Sequence, residues 1–121
     1  MSVAGALKAD YEHRIYGDDS LRHYAIVDEI DYAWAVRWRW TLTTWGYMKR
    51  STYVGSRKDG TRRSVSVYLH IEILRRAGKK RPTPKHTIGD HIDIDPTNCR
   101  RINLRWATKS MNNANSKRYR K

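Results

Sequence analysis

The chain has 121 residues, the size of one modest domain, and carries a formal net charge of +13 at pH 7. Its single cysteine excludes a disulfide framework and cysteine-ligated zinc fingers. Residues 1–32 have a net charge of −4 and residues 33–121 have one of +17. This bias favours a nucleic-acid partner over a protein that is merely basic or that binds a membrane surface.

The N-terminus shows neither the basic start nor the long apolar stretch of a secretory signal, and no apolar run could span a bilayer. Hydrophobic residues make up 39% of the chain, which is enough apolar material for a folded protein. We therefore expect a soluble cytoplasmic protein with no membrane partner.

The first predicted elements are a turn at 16–20 and a helix over 26–40. Asp28 can cap the N-terminus of this helix, and the carboxylate of Asp31 suits the amides of its first turn. The predicted apolar face consists of Ile30, Ala33, Trp34 and Trp38. For these tryptophans, packing in the core is favoured over stacking on nucleic-acid bases.

A ribbon of strands is predicted next. Residues 40–54 are rich in β-formers and broken at Gly46, which indicates a hairpin or a bent pair of strands. Residues 55–63 form a basic turn, and the alternation of Val65 and Val67 indicates a strand after it. Such a ribbon can lie in a DNA groove, and a solvated hairpin is the alternative. The candidate DNA-binding residues here are Arg37, Arg39, Lys49, Arg50, Arg57, Lys58, Arg62 and Arg63.

A short helix over 70–82 should end at Gly78 and Pro82. The proline-rich stretch that begins at Pro82 is the candidate boundary between a region 1–83 and a region 84–121.

The second region has the pattern strand, loop, strand and helix. The strands are predicted at 86–91 and 103–108, and the helix begins near Thr108. Asparagine is a poor residue for a helix interior, so a cluster of three indicates a role beyond helix formation. The cluster consists of Asn112, Asn113 and Asn115.

The stretch DHIDIDPTNCRRINLRWATKSMNNANS, residues 90–116, combines Asp-His, Asn-Leu-Arg-Trp-Ala-Thr and the asparagine cluster in order and at fitting spacing. It resembles the core of the HNH endonucleases, specifically their phage and intron homing-type branch. Segments upstream resemble the N-terminal part of that branch more loosely. The resemblance implies an α+β protein in which a small antiparallel strand/helix DNA-binding region precedes a C-terminal ββα-metal (His-Me finger) motif.

The resemblance also implies roles by position. His91 would be the general base, and Asp90 would bind a metal from the preceding position. Asn103 would tie the loop and orient His91. Asn112 would be the second metal ligand, where many relatives have a histidine, so that the motif is a His-Asn-Asn variant. The alternatives for this ligand are Asn113 and Asn115.

The chemistry is consistent with these residue types. Carboxylate and amide oxygens suit one Mg²⁺ or Mn²⁺ ion, and no zinc is expected. An imidazole titrates near neutral pH and can accept a proton there. Neighbouring strand residues point to opposite faces, so Asp90 and His91 converge only if the strand ends or bends near Gly89.

Several other residues have a simpler interpretation. Asp93 and Asp95 are expected to shape the loop, and His70 to pack or form a hydrogen bond. On the second strand, Arg105 is expected on the side that faces away from the core, and it is a candidate contact to phosphate. Arg118 belongs to a basic tail that is either a clamp on DNA or a frayed end.

We therefore interpret the sequence as a metal-dependent endonuclease of double-stranded DNA. Region 1–83 would position the duplex, and region 84–121 would cut it. A single active site favours nicking by a monomer or weak dimer without an obligate protein partner, in the host cytoplasm if the gene is of phage origin. The alternative is a non-catalytic basic nucleic-acid-binding protein that retains the ββα fold.

Overall fold

The computed structural model describes residues 12–17 and 23–119, with side chains described as far as residue 115. Most of the predicted turn at 16–20 and the side chain of Arg118 lie outside these residues. The strands are β1 (His13–Tyr16), β2 (Tyr24–Val27), β3 (Thr41–Leu42), β4 (Met48–Ser56), β5 (Arg62–Tyr68), β6 (Ile88–His91) and β7 (Leu104–Ala107). The helices are α1 (Glu29–Ala35), α2 (Leu69–Arg76), α3 (Lys109–Tyr119) and a short 3₁₀ turn η1 (Arg101–Asn103).

The strands form three small antiparallel sheets in the described part of the chain, with the orders β1-β2, β3-β4-β5 and β6-β7. The predicted hairpin at Gly46 is confirmed, since this residue has a φ of 89° in the turn between β3 and β4. Glycine adopts this left-handed conformation without steric conflict. The predicted order of strand, strand and helix after residue 84 is also confirmed, as β6, β7 and α3.

The predicted apolar face of the helix over 26–40 is wrong. Ile30 and Trp38 are 64% and 41% exposed, and α1 is only seven residues long. Its buried residues are Asp31 and Ala35, and of the predicted face Trp34 packs against the core. The buried face of the helix therefore includes a carboxylate. The spacing of apolar residues could not identify this face.

Asp31 is buried because two arginines neutralise it. Its Oδ1 accepts hydrogen bonds from Nε of Arg76 at 3.0 Å and from Nη2 of Arg101 at 2.8 Å, and its Oδ2 accepts one from Nε of Arg101 at 2.9 Å. Burial raises the pKa of Asp31, but the hydrogen bonds and charges of the arginines outweigh it and lower the pKa on balance. These contacts join α1 to α2 and to η1.

Asp28 occupies the N-cap position of α1, as predicted, but its side chain does not cap the helix. Its Oδ2 accepts a hydrogen bond from the backbone N–H of Arg101 at 2.7 Å instead. Nearby, the N–H of Ile26 donates to the carbonyl of Thr97, and the N–H of Cys99 donates to the carbonyl of Ile26, both at 2.8 Å. Strand β2 is therefore bound to the loop between β6 and β7.

The hydrophobic core draws on both sides of residue 83. Ile15, Trp40 and Met48 belong to the same buried cluster as Leu104 and Trp106. The division into regions 1–83 and 84–121 stays a prediction about which part binds and which part cuts.

Candidate active site

Asp90 and His91 are the last two residues of β6, and both are buried, with 4% and 5% of their surfaces exposed. The strand can approach α2 closely because it contains Gly89. A Cβ atom at this position would lie 2.5 Å from Cδ1 of Ile71 and 2.7 Å from Cδ2 of His70. The sequence Gly-Asp-His therefore sets the Asp-His pair directly against α2.

Asp90 and His91 have different neighbours, as expected for adjacent residues of a strand. The carboxylate of Asp90 accepts a hydrogen bond from Nε of Arg105, its cross-strand partner on β7, at 2.8 Å. Nδ2 of Asn115 lies 3.4 Å from each carboxylate oxygen of Asp90 and donates to the carbonyl of His91 at 3.0 Å. Asn115 thus fixes α3 to the end of β6.

Asn112 lies three residues before Asn115 and lines a cleft beside Gly89 and His70. Because Asn115 uses its amide nitrogen to hold β6, Asn112 is the asparagine of this helix face whose side chain borders open space. Asn113 is exposed. The possible oxygen donors to a hard cation are therefore the carboxylate of Asp90 and the amide oxygen of Asn112, a chemical type that suits Mg²⁺ or Mn²⁺.

Nε2 of His91 lies 3.8 Å from the sulfur of Cys99, and the thiol of Cys99 donates to the carbonyl of Pro96 at 3.7 Å. Cys99 is 1% exposed, and burial raises the pKa of its thiol, which keeps it protonated. With the thiol proton directed to Pro96, the sulfur can accept the N–H of His91. This arrangement favours the tautomer with the proton on Nε2 and the lone pair on Nδ1.

The ring of His91 belongs to a cluster of rings. Its centroid is 4.7 Å from that of His70 and 5.7 Å from that of Tyr47. Burial lowers the pKa of His91 to about 4, although the charges of Asp90, Asp93 and Asp95 act in the opposite direction. His91 is therefore neutral at physiological pH, so its lone pair is free to accept a proton, but as a weaker base than an ordinary imidazole.

The loop after β6 is held by Asn103. Its Oδ1 accepts from the N–H of Asp93 at 3.0 Å, while its Nδ2 donates to Oδ1 of Asp93 at 2.9 Å and to the carbonyl of Asn98 at 2.8 Å. Oδ1 of Asp95 accepts from the N–H and hydroxyl of Thr97. Asn103, Asp93 and Asp95 thus all shape this loop, and Asn103 also accepts the N–H of Ile92, directly after His91, through its carbonyl at 2.8 Å.

The cleft beside the Asp-His pair has a volume of about 450 Å³. Three aromatic residues, Trp45, Tyr47 and Tyr68, line it together with His70. Among the described residues that line it, none is acidic.

Most of the candidate DNA-binding residues are exposed. Arg37, Arg39, Arg57, Lys58, Arg62 and Arg63 are exposed, and Lys49, Arg50 and Arg105 are half-buried. Arg50 lies over Trp38, with its guanidinium carbon 3.9 Å from a ring centroid, and Arg62 lies over Tyr53 at 4.2 Å. Because Lys49 and Arg50 are neighbours on β4, their side chains point to opposite faces of the ribbon.

Three residues at the site were not assigned to it from the sequence: Cys99, Tyr47 and His70. The contact of Cys99 with His91 spans eight residues of an irregular loop and has no periodic signal. Tyr47 and His70 come from a turn and a helix far from residue 90 in the chain. A buried polar residue beside a motif histidine is recognisable only once the tertiary structure is known.

Comparison with known proteins bears on the segment that carries this site. The family model described as HNH endonuclease matches residues 67–114, which include α2, β6, β7 and the first part of α3. The match supports the HNH family for this segment and, with it, nuclease activity on DNA. No curated protein and no solved structure matches the chain. Among the described residues, no helix has the length and apolarity that crossing a membrane requires.

Proposed function

We propose that the protein is a divalent-metal-dependent endonuclease of the homing type that nicks one strand of double-stranded DNA. One observation carries the proposal. His91 lies at the end of β6 within the segment that matches the HNH endonucleases, and its Nε2 lies against the Cys99 thiol. Such a histidine is suited to take a proton from water on Nδ1.

In the proposed reaction, Nδ1 of His91 takes a proton from water as the water oxygen bonds to the scissile phosphorus. The bond between phosphorus and the 3′ oxygen breaks, and the 3′ oxygen takes a proton from solvent. The products are a 5′ phosphate and a 3′ hydroxyl. Asn103 does not touch the reacting atoms in this mechanism. It positions His91 by holding the loop that follows it.

Asp90 and Asn112 would hold one Mg²⁺ or Mn²⁺ ion, because both offer hard oxygen donors: the carboxylate of Asp90 at the buried end of β6 and the amide oxygen of Asn112 in the lining of the cleft. When bound, such a cation polarises the phosphoryl oxygen and stabilises the leaving 3′ oxygen. Arg105, which already forms an ion pair with Asp90 at 2.8 Å, is well placed to contact the phosphate beside it. Asn115 keeps β6 and α3 in register and is not a ligand in this proposal.

The exposed arginines and lysines of β4, β5 and their connecting turn would bind the phosphates of the duplex. The net charge of +17 over residues 33–121 supports this role, since neutralising phosphates releases condensed counterions. Arg37, Arg39 and Arg118 are further candidate contacts to the duplex.

The test is nicking of supercoiled plasmid with Mg²⁺, with Mn²⁺ and with EDTA. We expect relaxed circles only when a divalent metal is present, and a rate at least about 100-fold lower for His91→Ala. His86→Ala is the matched control, because His86 is half-buried outside the site and bonds to Thr83. Wild type that binds DNA but leaves every tested plasmid intact in both metals would overturn the endonuclease proposal.

A non-catalytic nucleic-acid-binding protein is the second candidate, and the burial of the site favours it. Only 5% of the surface of His91 is exposed, and Arg105 already neutralises Asp90. This function predicts that His91→Ala and wild type bind DNA equally and that neither cuts it.

A further inference from the structure

We propose that the cleft lined by Trp45, Tyr47, Tyr68 and His70 binds an unstacked nucleobase of the DNA strand. This inference rests on the proposed function for the identity of its ligand, but it concerns binding and not cleavage. The cleft does not contain His91 in its lining. It is separated from His91 by the rings of Tyr47 and His70, which touch both.

The first argument is the exposure of Trp45. This indole is 79% exposed, at the turn between β3 and β4, so most of its surface is accessible to a ligand in the cleft that it lines. Bases bind to such rings by stacking, and every base has a face for it.

The second argument is that the backbone on either side of Trp45 is held in place. The N–H of Tyr47 donates to Oγ1 of Thr43 at 3.0 Å, and the N–H of Thr43 donates to the carbonyl of Tyr47 at 2.8 Å. Gly46 lies so close to Pro96 that a Cβ atom would be 2.9 Å from its ring. The turn is thus braced against the loop that follows His91, so that the indole is presented at a fixed distance from the site.

The third argument is the chemistry of the cleft. A volume of about 450 Å³ lies within the range of small-ligand sites. Its aromatic walls suit the faces of a base, and Thr43, Thr87 and Asn112 on its rim can hydrogen-bond to a base edge. Burial lowers the pKa of His70 to about 3, so its ring enters this surface uncharged. Because the surrounding protein is strongly basic, a polyanion that carries aromatic groups is the fitting occupant.

The test compares binding of an oligothymidylate with that of an abasic oligonucleotide of the same length and charge, in EDTA, by fluorescence anisotropy. Equal charge removes the phosphate contribution, so the ratio of the two Kd values reports contact with bases. We expect wild type to prefer the strand with bases by about 5- to 100-fold, as stacking on one ring predicts. The preference should fall close to one in Trp45→Ala and be partly restored in Trp45→Phe.

Trp38→Ala is the matched control, because Trp38 is also exposed but lies under the guanidinium of Arg50 and outside the cleft. It should keep the preference for bases. The proposal is overturned if wild type binds both strands equally, if Trp45→Ala keeps the preference, or if Trp38→Ala loses it to the same extent. If the protein nicks plasmid but shows no preference for bases, only the base-binding proposal is refuted. If it prefers bases but never nicks plasmid, only the endonuclease proposal is refuted.

Discussion

The sulfur of Cys99 lies 3.8 Å from Nε2 of His91, and the same thiol donates to the carbonyl of Pro96. Which group accepts the thiol proton of Cys99 bears on which imidazole nitrogen of His91 carries a proton. We infer that the thiol proton is directed to Pro96, which puts the imidazole proton on Nε2 and the lone pair on Nδ1. Cys99 is thereby a positioning residue for His91 and does not need to ionise.

Replacing Cys99 tests this role. Cys99→Ser keeps a buried hydroxyl that can donate to Pro96 and accept from His91, so nicking should persist near the wild-type rate. Cys99→Ala removes the partner of Nε2 and should lower the nicking rate by about two- to tenfold, the worth of one neutral hydrogen bond. The ¹⁵N chemical shifts of the His91 ring should show one tautomer in wild type and in Cys99→Ser, and a mixture in Cys99→Ala. An unchanged tautomer in Cys99→Ala would show that another contact selects it.

Replacing the buried carboxylate of Asp31 by a neutral side chain should lower the stability of the fold. Asp31→Asn removes the charge that Arg76 and Arg101 share, and because these arginines are 33% and 26% exposed, we expect the free energy of unfolding in urea to fall by about 1.5–3 kcal/mol. Glu72→Gln is the control, because the Glu72–Arg75 pair lies at the surface, with 63% of the arginine side chain exposed, and should change stability by less than about 0.5 kcal/mol. Equal effects of the two substitutions would contradict the structural role of Asp31.

Gly89 should not tolerate even one methyl group. The Cβ of Gly89→Ala would meet Cδ1 of Ile71 at 2.5 Å, and the overpacking should reduce stability by about 1–3 kcal/mol and displace His91. The second substitution Ile71→Val removes one of the two conflicting atoms, leaving Cδ2 of His70 at 2.7 Å, and should restore part of the loss. Thermal unfolding of the single and double variants measures this coupling, and purely additive effects would refute it.

We expect the stability of the fold to depend on pH through the protonation of His70. Burial, with a smaller contribution from His91, lowers the pKa of His70 to about 3 from an ordinary 6.5, against the effect of a hydrogen bond with the Gly89 backbone. The unfolded chain therefore binds a proton at higher pH than the folded chain does. Well above pH 6.5, His70 is neutral in both the folded and the unfolded chain and does not affect the free energy of unfolding. As the pH falls from 6.5 to about 5, the unfolded chain takes up a proton on His70, and the free energy of unfolding decreases by about 2 kcal/mol.

His70→Phe keeps a ring in the cluster but cannot titrate. Its unfolding free energy, measured in urea across this pH range, should decline less steeply than that of wild type. The same slope in both proteins would assign the acid sensitivity to other groups.

The parts of the fold that follow from local rules could be predicted from the sequence. Gly46 between two runs of β-formers gave the hairpin, and the alternation around Trp106 gave β7. The helix predicted from Asp28 is present as α1, but its predicted apolar face was wrong for a physical reason. The arginines that neutralise Asp31 lie 45 and 70 residues further along the chain, and the sequence near Asp31 does not indicate them. For the same reason Cys99 and Tyr47 could not be assigned to the site of His91 before the tertiary structure placed them there.

The backbone bonds between Ile26 and the loop at Thr97 and Cys99 have a consequence for protein engineering. The segment proposed to cut DNA is not a portable module. A chimera that transplants residues 84–121 onto a foreign DNA-binding protein would sever the parallel pairing with β2 and remove Asp28 and Asp31 from Arg101. The loop that contains Cys99 would then lose its support. A graft intended to cut has to carry the strand and helix of residues 24–35 with it.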